Sequence, residues 1–289
     1  MQAVLILAHK NIDQVVELCE RLKPYFEIYI HFDKKVELTS RQRTELGKNG
    51  VKYYSKYNVK WGSYSIVRAT ILLMKKALMN KKINYFHLLS GQDWPMQSPE
   101  KIYSFFQNTD KIYMNYWRAV DVKKTGEPEI WWVKYYFNYD NINRRTFFGK
   151  IYHRLLLMVQ TVLRINKLKK YGWKAENIYA GQEWVDVPRD ALEYAINYYD
   201  THKELEKIFR TSFCSDEIWL QTILVNSKFK DRIDKNIHHF IEMIEKHGSR
   251  PAILDEDDFS KIIQGDYWWG RKVERPISNG LIKLLDERI

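Results

Sequence analysis

A chain of 289 residues, 45% hydrophobic and 29% charged, has the apolar mass for a large core and the composition of an ordinary globular protein, which excludes disordered and fibrous classes. Its two cysteines, Cys19 and Cys214, exclude a disulfide framework and have no companions at zinc-ligand spacing, so a reducing compartment is the default. With 47 basic against 36 acidic residues the net charge is +11, which points to an anionic partner: a nucleotide, a nucleic acid or an anionic membrane face.

The opening Met1-Gln2-Ala3-Val4-Leu5-Ile6-Leu7-Ala8 lacks a basic lead and is too short to cross a bilayer, so it reads as a buried strand rather than a signal or anchor. Asn11 with Gln14 resembles a capping box opening a helix whose inner face is Val15, Leu18, Cys19 and Leu22. Ile28 to Phe32 predicts a second strand ending at Asp33, and Val51 to Tyr54 a third. After Trp61-Gly62, Ser63 caps a helix with an Ile66, Val67, Thr70, Leu73, Met74 and Ala77 stripe, and Tyr85 to Leu89 forms another buried strand. Strands alternating with helices imply a largely parallel sheet with right-handed crossovers. Ligands of such sheets sit beyond the carboxyl ends of the strands, which puts Asp33 and Ser90-Gly91-Gln92-Asp93 on the functional rim. Neither a G-x-G-x-x-G after the first strand nor a P-loop occurs, so an anionic ligand is held by other means.

From Trp117 to Gly181 the pattern is less regular. Ile130 to Phe137 reads as an aromatic strand or loop in which Trp132 could stack on a sugar or simply pack a core. Ile151 to Lys170 reads as one basic helix with a broad apolar face, suited to covering the sheet or to docking on an anionic leaflet. Near the end of the next third, Cys214-Ser215-Asp216-Glu217 places two carboxylates in the first turn of a helix, with Ser215 as its cap and Ile218, Trp219, Thr222 and Ile223 behind. First-turn acids are common for macrodipole reasons alone. Asp255-Glu256-Asp257-Asp258 contains D-x-D and could hold a hard metal, although a helix cap before Phe259 is the simpler reading. Arg271-Lys272 reads as a solvated basic pair or as a diphosphate contact beside a compact Gly270. With no repeat or linker, one domain over 1–289 is expected, with a donor half at about 1–116 and an acceptor and catalytic half at about 117–289.

Five motifs together carry a resemblance: Ile30-His31-Phe32-Asp33-Lys34-Lys35, Trp61-Gly62-Ser63, Leu88-Leu89-Ser90-Gly91-Gln92-Asp93-Trp94-Pro95, Ser215-Asp216-Glu217 with Leu220-Gln221-Thr222, and Trp269-Gly270-Arg271-Lys272-Val273. In this order they resemble the core-2/I-branching β-1,6-N-acetylglucosaminyltransferase family, as a bacterial member. The resemblance implies an α/β GT-A-type nucleotide-sugar fold, with a Rossmann-like, mostly parallel central sheet flanked by helices. It also implies inverting, metal-independent transfer from a UDP-sugar, with no cofactor.

By the same resemblance Glu217 is the catalytic base, and Lys272, with Arg271 and Arg250, meets the donor diphosphate. Asp33 contacts the nucleoside, with His9, Trp61 and Asp93 on the donor side. Gly181-Gln182-Glu183-Trp184 resembles the family's Gly-Ser-Gln-Trp turn, which puts Gly181, Gln182, Trp184 and Trp132 on the acceptor side. The chain departs from the family in Trp269, Gly270 and Val273, where Phe, Ala and Phe are usual, and in lacking the anchor and cysteine set of the animal enzymes.

The chemistry agrees with the resemblance. Inversion needs one base to take the acceptor proton, and the place where a metal-binding D-x-D would stand reads Gly91-Gln92-Asp93, a lone acid. The expected partners are therefore a UDP-sugar, a glycan or lipid-linked glycan and an anionic membrane face, in the cytoplasm or at the cytoplasmic face of the inner membrane. N-acetylglucosamine leads as donor sugar, with β-xylosyl and glucuronosyl transfer as alternatives. A basic nucleic-acid-binding protein is the rival class, but no RNA-binding signature or zinc-finger spacing accompanies the charge.

Overall fold

The computed structural model describes residues 1–124 and 126–288. Its first third follows the expected alternation, with α2 and β5 added to the expected elements: β1 (Gln2–Ala8), α1 (Ile12–Leu22), β2 (Phe26–Phe32), α2 (Ser40–Lys48), β3 (Lys52–Tyr54), α3 (Tyr64–Leu78), β4 (Tyr85–Ser90) and β5 (Asp93–Pro95). Strands β3, β2, β1 and β4 lie side by side in that order and are parallel. The sheet continues past β4 with the antiparallel strand Asp186–Pro188, then Ile112–Tyr113 and Ile233–Asp234, making seven strands. Strands from both expected halves therefore share one sheet.

Alternation along β1 explains the layering. Ala3 and Leu5 face a core that includes Val67, Leu73 and Met74 of α3, while Val4 and Ile6 face a second core that includes Val15, Leu18 and Leu22 of α1. Ser63 caps α3 through the Ser65 amide, and the predicted stripe of α3 is buried throughout. The helix α1 starts differently from expectation. Asn11 takes a left-handed conformation (φ 53°) with no side-chain cap, and Gln14 reaches instead to the far end of the chain, donating to the Val273 carbonyl (2.9 Å) and accepting from the Arg275 amide (2.9 Å).

A second, three-stranded sheet carries the site's other wall. His239–Ile241 runs parallel to Trp269–Arg271, which pairs antiparallel with β5 so that Arg271 stands opposite Asp93. Two segments depart from expectation. Residues 130–137 hold a short helix, Trp131–Lys134, rather than a strand. The basic stretch is two helices, Phe147–Val162 and Lys167–Lys170, broken where Arg164 turns left-handed (φ 50°). Lys167 lies inside the protein, its ammonium donating to the Ile208 carbonyl and to Thr211 and Ser212.

Candidate active site

Asp93, at the end of β4's turn into β5, is fully buried and spends both oxygens inside the protein. Oδ1 accepts from the Arg271 guanidinium (3.1 Å) and lies 3.5 Å from His239 Nε2, while Oδ2 accepts from Trp184 Nε1 (3.0 Å) and from the Ser90 amide. Burial alone would raise its carboxyl, but Arg271 and His239 prevail and hold it well below the usual carboxylate range. Arg271 also donates to Ser90 Oγ, and its guanidinium lies over the Trp184 ring at 4.8 Å. Asp93 is therefore the counter-ion that aims Arg271, not a group open to a sugar.

Beside this pair Lys272 donates to Ser249 Oγ (2.8 Å), which brings exposed Arg250 into the neighbourhood. Burial first, then the charges of Arg271 and Lys10, depress the Lys272 ammonium; Arg145 adds to the effect and Glu274 opposes it. An ammonium crowded by like charges is one that an arriving polyanion stabilises. His9 shares these neighbours, its imidazole lowered by the surrounding protein first and then by Lys10 and Arg271. A Cβ on Gly270 would meet the Met96 side chain, so the strand packs closely there.

Asp33 follows β2 and is buried, its oxygens accepting from the Lys35 amide (2.9 Å) and the Val59 amide (3.1 Å). Together with His31 Nε2, which accepts from the Lys56 and Tyr57 amides, it fixes the loop that leads to Trp61. Trp61 is half exposed on the rim, under the Arg145 guanidinium at 4.6 Å. Gly62 (φ +71°) makes the turn behind it, and its carbonyl accepts from the Cys214 amide (2.9 Å), tying the α3 start to the acidic segment.

That segment is not the first turn of a helix. Cys214 is left-handed (φ 46°), Ser215–Glu217 form a separate 3-10 turn, and the helix Trp219–Val225 starts only after a break at Ile218. Ser215 Oγ caps nothing. The helix macrodipole therefore does not keep Glu217 ionised. Burial raises its carboxyl above the ordinary value, and the opposing influence is Lys124, whose Nζ stands 3.0 Å from Glu217 Oε2 and 2.8 Å from Glu129 Oε1. Lys124 is itself flanked by the rings of Trp117 and Trp132, at 4.8 and 5.6 Å.

Two more acids complete the cluster. Asp216 is buried and pushed well above the usual range by burial, Glu183 and Glu217. Glu183 is pushed up to about 7, by burial first, with Arg271 opposing and Glu217 and Asp93 adding. The turn that carries it joins the acidic segment to the Asp93–Arg271 pair, because Trp184 Nε1 donates to Asp93 at its other end (3.0 Å). The Gly181 amide donates to the Glu217 carbonyl (2.8 Å), and a Cβ on Gly181 would strike the Asn115 carbonyl, so this close approach requires glycine.

Of the acceptor-side residues, Gln182 is engaged with Asn115 (3.0 and 2.7 Å), and Trp184 stands against Asp93, Arg271 and His239 on the donor side. Trp132 is buried, donates from Nε1 to Glu127 (2.6 Å) and packs on Phe213, so its face is closed to a sugar. Lys124, Glu129, Glu183 and His239 escaped the sequence reading. Only Glu183, inside the quoted Gly181 to Trp184 turn, carried a local signal. The Asp255 to Asp258 cluster is a helix cap: Asp255 and Asp258 form a capping box and are neutralised by Lys246 (2.5 and 2.9 Å), with His247 Nε2 standing 2.6 Å from Asp255.

A sequence profile described as Core-2/I-branching enzyme matches residues 4–263. No curated protein matches the chain. Among solved structures, one similar to it is a glycosyltransferase involved in the glycosylation of the major capsid of PBCV-1, at 11% identity over 100% of both chains and a TM-score of 0.35. The apo WbbM bifunctional glycosyltransferase is similar at 8% identity over 95% of this chain and 46% of that one, with a TM-score of 0.40. S. aureus TarS 1–349 in complex with UDP is similar at 14% identity over 43% of this chain and 38% of that one, with a TM-score of 0.30. The match thus spans less than half of the WbbM and TarS chains.

Proposed function

The chain belongs to the Core-2/I-branching enzyme family and is a glycosyltransferase of the α/β, GT-A-type architecture, and from that premise we propose that it moves N-acetylglucosamine from a UDP-sugar to a glycan hydroxyl with inversion and without a divalent metal. The observation that carries the reading is the Gly181 to Trp184 turn, which binds the acidic segment at one end, Gly181 donating to the carbonyl of Glu217, itself held by Lys124, and the Asp93–Arg271 pair at the other, through Trp184 Nε1. Glu217 takes the proton from the acceptor hydroxyl as that oxygen bonds to the anomeric carbon. The bond from that carbon to the diphosphate oxygen breaks on the opposite face, and the charge gathering on UDP is met by Lys272, with Arg250 beside it and Arg271 fixed by Asp93.

The metal-free part is supported by Asp93, whose oxygens are occupied by protein donors, and by the Arg271 and Lys272 cations beside it. Surface polysaccharide or lipopolysaccharide synthesis at the cytoplasmic face of the inner membrane is the setting we assign, with a lipid-linked glycan as acceptor. β-Xylosyl or glucuronosyl transfer would use the same machinery. The nucleic-acid rival is left with net charge alone.

A screen of UDP-sugars against simple aryl glycosides as acceptors, reading UDP release in excess EDTA, tests the reading. Acceptor-dependent release from UDP-N-acetylglucosamine is expected. Release from another UDP-sugar alone would replace the sugar, and release only after manganese is added would remove the metal-free mechanism.

A further inference from the structure

The helix Phe147–Val162 buries one side, including Gly149, His153, Leu157 and Gln160, against the protein. At about 100° per residue, the residues on the opposite side are Phe147, Phe148, Ile151, Leu155, Met158 and Val162. All six are exposed, Phe147 at 80%, Val162 at 75% and Met158 at 58%. A second apolar stripe diametrically across from the buried one serves no packing within the chain, and contiguous exposed apolar surface on this scale marks a contact.

Charge decides with what. From Arg144 to Lys170 there is no Asp or Glu, and Arg145, Lys150, Arg154, Arg164, Lys169 and Lys170 are exposed. Lys150 and Arg154 fall along one edge of the stripe, and Arg164 follows its end. A second copy of this face would bring like charges together, whereas an anionic bilayer offers apolar depth and negative charge at once. Among the described residues no helix is long and apolar enough to cross a membrane, so the contact is one of lying on the surface.

We propose that this stripe is a membrane-docking face that seats the enzyme on an anionic lipid surface with the cleft at the bilayer's edge. The geometry joins the two: Arg145, just before the helix, stacks on Trp61 of the rim and lies in the electrostatic reach of Lys272. An acceptor anchored in lipid would then be presented from the side on which Trp61 stands. The inference gives a surface to the peripheral-membrane part of the reading above, on which it rests, and depends on no choice of sugar or base.

The test is flotation of the purified chain with vesicles of phosphatidylcholine alone or with roughly 30 mol% phosphatidylglycerol. Wild type should float with the anionic vesicles and release as salt rises. Leu155→Asp with Met158→Asp should reduce flotation about tenfold or more, and Lys150→Glu with Arg154→Glu should reduce it with a shallower salt dependence than wild type, because the attraction that salt screens has been removed. UDP binding, measured alongside, should stay unchanged in both variants, which separates loss of docking from loss of the donor site. Equal flotation with neutral vesicles, no flotation, or a dimer in light scattering that the Leu155 and Met158 changes dissolve would overturn the proposal.

Discussion

The Lys124 ammonium meets the Glu217 carboxylate at 3.0 Å across 93 residues of chain and is the cation that offsets burial there. Turnover needs Glu217 deprotonated, so kcat/KM should rise with pH along a limb lying above the 4.5 of an ordinary glutamate. Removing a cation that favours the ionised form raises the carboxyl further. Lys124→Met should therefore move that limb to higher pH, and a pH profile of donor turnover for both proteins checks it; an unmoved limb removes Lys124 from the base's environment.

Asp216 and Glu217 are adjacent in sequence but differ in surroundings. Among the described residues Asp216 has no cationic partner within hydrogen-bond reach, and it is held towards its neutral form. Asp216→Asn should cost less than about tenfold in kcat, because an amide resembles the acid form in shape and charge. Equal losses in Asp216→Asn and Glu217→Gln would leave the pair acting together.

Glu183 sits in the turn between the acidic segment and the Asp93–Arg271 pair, and its burial has a cost. Its folded value of about 7 lies above the 4.5 of the unfolded chain, so wild type loses stability as pH rises from 4.5 to about 7. Glu183→Gln should be the more stable protein at pH 8, by roughly 1–3 kcal/mol, with the gap closing below pH 4.5. Urea unfolding at both pH values measures it.

Asp93 behaves oppositely. Its lowered carboxyl contributes stability that is present above the unfolded 3.8 and lost as pH falls through the folded value. Asp93→Ala strands the Arg271 guanidinium and should cost about 3–5 kcal/mol at neutral pH, together with weaker UDP binding. Lys272→Ala, by contrast, should fold normally and lose about 10²–10³ in turnover, more than it loses in donor affinity, with Lys272→Arg recovering part.

Most of the strand and helix order of the first ninety residues was legible because those elements have a clean period and bury one face, as α3 shows, whereas α2, which buries only Leu46, was not read. Asp33, Asp93, Glu217 and Lys272 could be picked out because they stand in local motifs at element ends. Their partners could not. Lys124 reaches Glu217, and Glu129 holds Lys124, from a stretch of two-residue strands with no period to read, and His239 reaches Asp93 through pairing between distant strands. Local rules also misled where tertiary contacts prevailed. Gln14 answers to Val273 and Arg275 rather than to Asn11, and Ser215 caps nothing because the chain folds a 3-10 turn before the helix. Trp132 illustrates a limit of composition: an aromatic residue can stack on sugar only if its face is left open, and this one is enclosed by Phe213 and Glu127.

The central claim is that Glu217 is the base of a glycosyl transfer from UDP-sugar. Glu217→Gln removes the proton acceptor while keeping shape, so UDP affinity by calorimetry and acceptor-dependent UDP release should be measured on the same preparation, in EDTA. The account predicts unchanged UDP affinity with release lowered by about 10²–10⁴-fold. Release near the wild-type rate, with affinity intact, would contradict it.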